Sequence, residues 1–140
     1  MHEILEKRAR NANTWLMRIH APLVAKRCEP GQFIIFRIDE RGERVPLTIA
    51  DFDWASGSIT IIFQSIGAST TALSKLDKGD FILDFVGPLG NASKLEGHKN
   101  VAIIGGGVGC AIAYPQAKKL FHMGCKVDLI AGFRSKDIVM

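Results

Sequence analysis

Cysteine is scarce in this chain of 140 residues: Cys28, Cys110 and Cys125 are odd in number and far apart. No C-x-x-C pair occurs, so the segment holds neither a zinc knuckle nor a complete iron–sulfur site. The three read as buried structural thiols of a reducing compartment, and a cytoplasmic location is expected. Long hydrophobic runs are missing as well. No apolar stretch nears the ~18 residues that suggest a membrane helix. The opening MHEILEKRARN is charged from its third residue, so neither a membrane span nor a signal peptide is expected. Dense charge is absent too: the net charge is +4 and the pI about 9.1, with the basic residues scattered. A nucleic-acid footprint needs a denser patch or interleaved aromatics, and this mild balance suits anionic cofactors or acidic partner proteins instead. His2, His20, His98 and His122 stand alone, and no G-x-S-x-G elbow is present. If the chain is an enzyme, its chemistry is expected from a cofactor.

Apolar material is plentiful. The chain is 47% hydrophobic with eight Phe and two Trp, enough to build a core and to exclude intrinsic disorder. Its length fits one domain or two very small ones.

Period-2 alternation predicts strands over residues 2–9 and 12–20, then Gln32–Ile38, Val45–Phe52, Ile59–Ser65 and Asp80–Val86. Ala21–Cys28 reads as a helical turn, and Ser69–Leu76 as a short helix ended by Lys78-Gly79. Gly87-Pro88-Leu89-Gly90 is expected to stop the last of these strands. Six strands and one late helix indicate a small antiparallel barrel over residues 1–97. After the polar linker Asn91–Asn100 the pattern becomes strand (101–104), helix (about 109–122) and strand (126–131), so a second unit is expected over 98–140. Two parallel strands and one helix bury their faces poorly and leave open edges. The chain therefore reads as an N-terminal fragment of a longer protein, or as one that a partner completes, and self-association is plausible.

The richest stretch is VAIIGGGVGCAIA, Val101–Ala113. Four apolar residues run into Gly105, Gly106 and Gly107, and a helix-like segment follows. Residues without a Cβ let a ligand approach the backbone, and a helix start offers free N–H groups to a phosphate. The spacing is Gly105-x-Gly107-x-Gly109 with Cys110 in the third fingerprint position, so it departs from G-x-G-x-x-G. A tight strand-to-helix turn of any α/β protein would share these features. Two barrel segments also suit phosphate. Arg44-Val45-Pro46-Leu47-Thr48 could bring a guanidinium and a hydroxyl to a pyrophosphate, and Pro46 implies an open backbone position. A surface arginine on a hairpin strand explains the same residues. Gly67-Ala68-Ser69-Thr70-Thr71 opens a helix with hydroxyls, which N-capping alone would also explain.

The order barrel, R-V-P-L-T, G-A-S-T-T, G-P-L-G-N, G-G-G-V-G-C-A, A-G-F-R-S-K-D resembles the ferredoxin–NADP reductase superfamily over nearly the whole chain. Within it, the similarity is to electron-transfer subunits related to that of dihydroorotate dehydrogenase. The resemblance implies a β + α/β fold: a six-stranded antiparallel β-barrel of the FAD-binding reductase type, then a truncated βαβ part of a nucleotide-binding domain. It implies that Arg44 and Thr48, with Val45, Pro46 and Leu47 between them, meet the flavin and its diphosphate. Gln64, Ser65 and Ile66 would lie beside the isoalloxazine, and Gly67, Ser69, Thr70 and Thr71 would hold phosphate. Gly105, Gly106, Gly107 and Gly109 would face a nicotinamide dinucleotide. Members of the family continue further, completing the nucleotide domain and adding a 2Fe-2S centre, which is expected only in that missing C-terminal part.

The implied activity is NAD(P)H-dependent flavin oxidoreduction, moving electrons through FAD between a nicotinamide and an iron–sulfur centre. The implied partner is a larger flavin or iron–sulfur oxidoreductase subunit, or ferredoxin, with no nucleic acid and no membrane. The acidic residue expected about 20 positions past the glycines is Asp128, but it falls mid-strand. Arg134, Ser135 and Lys136 follow that strand and could meet a 2′-phosphate, so the reading leans to NADP. Two alternatives stand beside this one: a dihydroorotate dehydrogenase electron-transfer subunit using NAD, and a small β-barrel binding module without redox function.

Overall fold

The structure is a computed structural model that describes all 140 residues. Alternating apolar residues build most of the first part. Strands β1 (His2–Ala9), β2 (Thr14–His20), β3 (Phe33–Arg37), β4 (Val45–Asp53) and β5 (Ser58–Gln64) each turn one face inward. Ile4, Met17, Ile19, Ile34, Phe36, Ile59 and Ile61 are fully shielded from solvent in one core of sixteen buried residues. The short helix α1 (Pro22–Ala25) adds Val24 and Ala25, and α2 (Ala68–Ser74) adds Leu73. Each residue of this kind contributes about 1.5–3 kcal/mol of transfer free energy when fully buried.

The sequence predicts one strand over Asp80–Val86, stopped by Gly87-Pro88-Leu89-Gly90. The structure has two strands there, β6 (Phe81–Ile82) and β7 (Asp84–Leu89), and the sheet has seven strands rather than six. The sheet order is β6-β1-β2-β5-β4-β3-β7, all antiparallel. Its two end strands are therefore neighbours in sequence, joined through Leu83, whose N–H donates to the Ile38 carbonyl at 3.0 Å. One residue turns the chain from pairing with β1 to pairing with β3. The in-out alternation shifts by one residue there, since Ile82 and Phe85 are both buried while Phe81 and Val86 are exposed, and a run apolar at nearly every position does not reveal where the shift falls. Gly87, Pro88 and Leu89 belong to β7, with Leu89 opposite Phe33. An end strand tolerates a proline that has no N–H to give.

The second part pairs β8 (Asn100–Gly106) with β9 (Lys126–Gly132) in parallel, from Asn100 opposite Lys126 to Gly106 opposite Gly132. Helix α3 (Cys110–His122) crosses between them after a single 3-10 turn, Gly107–Gly109. Leu95, Leu120 and Cys125 are buried together, with Val101, Ile103 and Val127 packed on them. The opposite sheet face stays bare: Ile104 is 76% exposed and Ile130 55%. Helix α3 lies between the β8–β9 sheet and β4 of the barrel. Its alanines, Ala111, Ala113 and Ala117, are small enough to let both neighbours come close, and Pro115 is buried with them. Lys118 Nζ reaches Asp51 Oδ1 on β4 at 2.9 Å, Lys119 approaches Glu29 at 3.8 Å, and Asn11 Nδ2 donates to the Ile138 carbonyl at 3.1 Å. After β9 the chain makes one 3-10 turn, Lys136–Ile138, with no side-chain cap from Ser135. No helix is long and apolar enough to cross a membrane.

Candidate flavin and dinucleotide site

Strand β4 changes neighbour halfway along. Val45, Pro46, Leu47 and Thr48 pair with β3, whereas pairing with β5 begins only at Ile49 opposite Ile61. The first half of β4 thus has one open edge, facing the Gln64 end of β5. Val45 and Leu47 pack on the core, so alternation turns Pro46 and Thr48 outward. A buried or half-buried edge with free N–H and C=O groups wants a partner. It can receive a planar group edge-on, which is how an isoalloxazine offers its ring carbonyls and nitrogens. The residues present fit such a ring.

Arg44 stands just before this edge, exposed, with its guanidinium 3.6 Å from Asp84 Oδ2. Asp84 is already engaged by Arg37 Nε at 2.7 Å, so Arg44 retains most of its donors for another anion. Gln64 ends β5, and Ser65 and Ile66 turn the chain into α2. The Ser65 hydroxyl is occupied: it accepts from Trp15 Nε1 at 2.9 Å and donates to the Asn13 carbonyl at 3.2 Å. The Ser65 N–H also donates to the Asn13 carbonyl, at 2.9 Å, so only the Ser65 carbonyl is left for a ligand.

Gly67 caps α2 without a side chain, and no side-chain cap replaces it. Thr70 Oγ1 accepts from the Ile66 and Gly67 N–H groups at 3.2 and 3.1 Å, which shapes the turn rather than offering the hydroxyl outward. Ser69 Oγ donates to Glu43 Oε2 at 2.9 Å, across a cavity of about 250 Å³ between the 38–43 hairpin and α2. Thr71 is exposed. Of the three predicted phosphate hydroxyls, one is committed to the turn and one to a carboxylate. Glu43, which no sequence pattern singles out, is the anion nearest that end of α2.

The glycine stretch divides by role. A Cβ on Gly105 would lie 3.0 Å from both Cys110 Cα and Sγ, and Gly105 is buried. Its lack of a side chain lets α3 sit on the end of β8, so it packs rather than faces a ligand. Gly107 has φ +55, a left-handed conformation that L side chains seldom adopt. Cβ atoms on Gly106, Gly107 or Gly109 would meet nothing within 4 Å, so an open cradle lies above them. Helix α3 starts directly behind, uncapped by any side chain. Asp128 pairs with Ala102 in mid-strand, remote from the glycines, as its position in sequence suggests. Arg134 follows β9 two residues after Gly132, which pairs with Gly106, so it leaves the sheet beside the cradle. The thiols do not converge: Cys28 and Cys125 are buried, Cys110 is half-buried, and all are free. No three His, Cys, Asp or Glu side chains gather as metal ligands, so the residues present do not fit an iron–sulfur cluster.

The structure thus places an antiparallel barrel with an open slot before a strand, a glycine cradle and a helix. No protein-family model matches the chain. A solved structure of the NADH-dependent reduced ferredoxin–NADP oxidoreductase superposes on all of it with a TM-score of 0.96 at 42% identity, over 51% of that chain. The dihydroorotate dehydrogenase B (NAD(+)) electron transfer subunit homolog of Thermotoga maritima is 41% identical across the whole chain and 50% of its own length. Phthalate dioxygenase reductase shares the fold, with a TM-score of 0.83 at 16% identity. Over nearly its whole length the chain is similar to ferredoxin–NADP reductase-like electron-transfer proteins. It spans about half the length of the curated relatives it matches.

Proposed function

We propose that the chain is the flavin-binding part of an electron-transfer subunit that exchanges electrons between NAD(P)H and an iron–sulfur centre or ferredoxin. The observation that carries this reading is the one-sided edge of β4 at Val45–Thr48, opposite the Gln64–Gly67 turn. Bound there, FAD supplies the step between two-electron hydride chemistry and single-electron transfer. The chain's own residues bind and orient. The backbone of Val45–Thr48 and the outward Pro46 and Thr48 hold the ring, and Gln64, Ser65 and Ile66 line its other side. Arg44 and the start of α2, with Ser69 and Thr71, would hold the diphosphate, Ser69 in place of its contact with Glu43, while Thr70 shapes the turn.

Gly106, Gly107 and Gly109 cradle the nicotinamide dinucleotide, while Gly105 seats the helix behind them. Arg134 beside that cradle favours a 2′-phosphate, and hence NADP. The iron–sulfur centre is supplied outside these 140 residues, by the remainder of a longer protein or by a partner oxidoreductase. We place the division between the flavin unit and the nucleotide unit in the linker before β8, near residues 97 and 98.

The purified protein is expected to be yellow, or to take up FAD with a flavin absorbance spectrum. Thr48→Val with Arg44→Ala is expected to weaken that uptake. A wild-type protein that binds no flavin would overturn the reading and leave the non-redox binding module in its place. Unchanged preference for NADPH over NADH after Arg134→Ala would overturn the assignment of Arg134.

A further inference from the structure

We infer that Trp15 is a positioning residue for the flavin site, acting through Ser65 to hold the turn that leads into α2. This rests on the flavin reading above and adds a residue that lies outside every motif of the site. The indole N–H of Trp15 on β2 donates to Ser65 Oγ at 2.9 Å, and that hydroxyl donates on to the Asn13 carbonyl at 3.2 Å. The Ser65 N–H goes to the same carbonyl at 2.9 Å. Two hydrogen bonds therefore tie Ser65 to the β1–β2 turn, and the indole completes the set.

The other face of Trp15 is engaged as well. Lys7 Nζ on β1 lies 4.7 Å from its ring centroid and 3.0 Å from Asp77 Oδ1, just beyond the end of α2. The Lys7 side chain is only 14% exposed, so it is held rather than free to swing in solvent. Asp77, Lys7, Trp15 and Ser65 form one continuous chain of contacts that grips α2 from both ends. That helix carries Ser69, Thr70 and Thr71, and the turn before it faces the open edge of β4. A rigid second layer of this kind determines how well a binding group keeps its geometry. Removing the indole N–H leaves Ser65 Oγ without a donor and loosens the turn, which the two bonds to the Asn13 carbonyl then hold alone, while the aromatic body still packs on the core and under Lys7.

The test is FAD titration of the flavin-stripped protein for wild type, Trp15→Phe, Ser65→Ala and the double variant, with a thermal melt of each. Trp15→Phe is expected to weaken FAD binding about 5–10-fold, the order of one lost hydrogen bond. Ser65→Ala is expected to do the same. The double variant is expected to be no more than about twofold weaker than the worse single variant, since the two residues act through one contact. A merely structural role would lower the melting temperature without this coupling in affinity. Trp15→Phe or Ser65→Ala binding within about twofold of wild type, or losses that multiply in the double variant, would overturn the inference. Ser65→Ala truncates a half-exposed residue and keeps the test available even if Trp15→Phe folds poorly. Failure of the wild type to bind FAD is a different outcome, which removes the flavin reading and this inference with it.

Discussion

Replacing Gly105 and Gly106 one at a time separates packing from binding within a single glycine run. An ideal Cβ on Gly105 sits 3.0 Å from Cys110 Cα, 3.0 Å from its Sγ and 3.3 Å from its N. Carbon atoms in good contact sit at about 3.5–4.0 Å, so the added methyl is roughly half an ångström too close. Two of those neighbours are backbone atoms of the first turn of α3 and cannot rotate away. The helix must therefore shift off β8, and overpacking of this kind costs about 1–3 kcal/mol. At this chain length each kcal/mol corresponds to about 3–5 °C, so Gly105→Ala is expected to lower the Tm by about 3–15 °C.

Gly106 differs in both respects. Nothing lies within 4 Å of its Cβ position, and its φ of −117 with ψ of 127 is ordinary strand geometry. Gly106→Ala is expected to be neutral or to stabilise by about 0.4–1 kcal/mol, by restricting the unfolded chain. In the proposed site it places a methyl in the dinucleotide cradle, so it weakens nicotinamide binding while the fold stays intact. Circular dichroism melts with amide hydrogen exchange over 110–122 read the first effect, because a displaced α3 exchanges faster. The reasoning fails if Gly105→Ala melts within about 1 °C of wild type. It fails equally if Gly106→Ala loses as much stability as Gly105→Ala.

Two further outcomes concern titrating groups. The Asp51 carboxylate accepts a hydrogen bond from Lys118 and raises the Lys118 pKa above the ordinary 10.5. The pair's contribution is therefore fully present below pH 10.5 and is lost as pH rises through the higher folded value. Both side chains are about a third or more exposed, so the screened contribution is only about 0.3–1 kcal/mol; a double-mutant cycle with Lys118→Met and Asp51→Asn at neutral pH should return that coupling, and a coupling above 2 kcal/mol would contradict it. Burial, with Glu29 and Asp51 adding to it, pushes the Cys28 thiol up from 9.0 to about 12. The folded state keeps that proton, so this source of stability is intact below pH 9.0 and declines as pH rises from there toward 12. In native protein near neutral pH, iodoacetamide mapped by mass spectrometry should modify half-buried Cys110 well before Cys28, and equal rates would refute the burial argument.

Some elements were plain in the residues, and others waited for contacts between distant segments. Alternation in Trp15–His20, Val45–Phe52 and Ile59–Gln64 announces strands because each has one wet face and one dry face. The glycine run after Val101–Ile104 marks a strand-to-helix turn because glycine is expensive in any regular element. What joins them is less visible. The split of Asp80–Val86 into two strands depends on whether Ile82 and Asp84 find β1 or β3, and a run apolar at Phe81, Ile82, Leu83, Phe85 and Val86 does not say which of them turn inward. The motif resemblance sets Ser65 beside the flavin ring and gives Thr70 to phosphate, but the hydroxyls of both are already engaged by Trp15, Asn13 and the Gly67 turn. Gly105 was grouped with its neighbours for the same reason, since a string of glycines does not say which one lies beneath a helix.

The sequence alone determined the element types, the change from barrel to βαβ after the linker, and the segments proposed to hold ligands. These follow from side-chain periodicity and glycine freedom, which act over a few residues. Tertiary structure alone decided the seventh strand at Leu83, the open edge of β4, the packing role of Gly105 and the grip of Trp15 and Lys7 on α2. Each of these depends on residues such as Trp15 and Ser65, or Lys7 and Asp77, that lie dozens of positions apart and interact only once the sheet has closed.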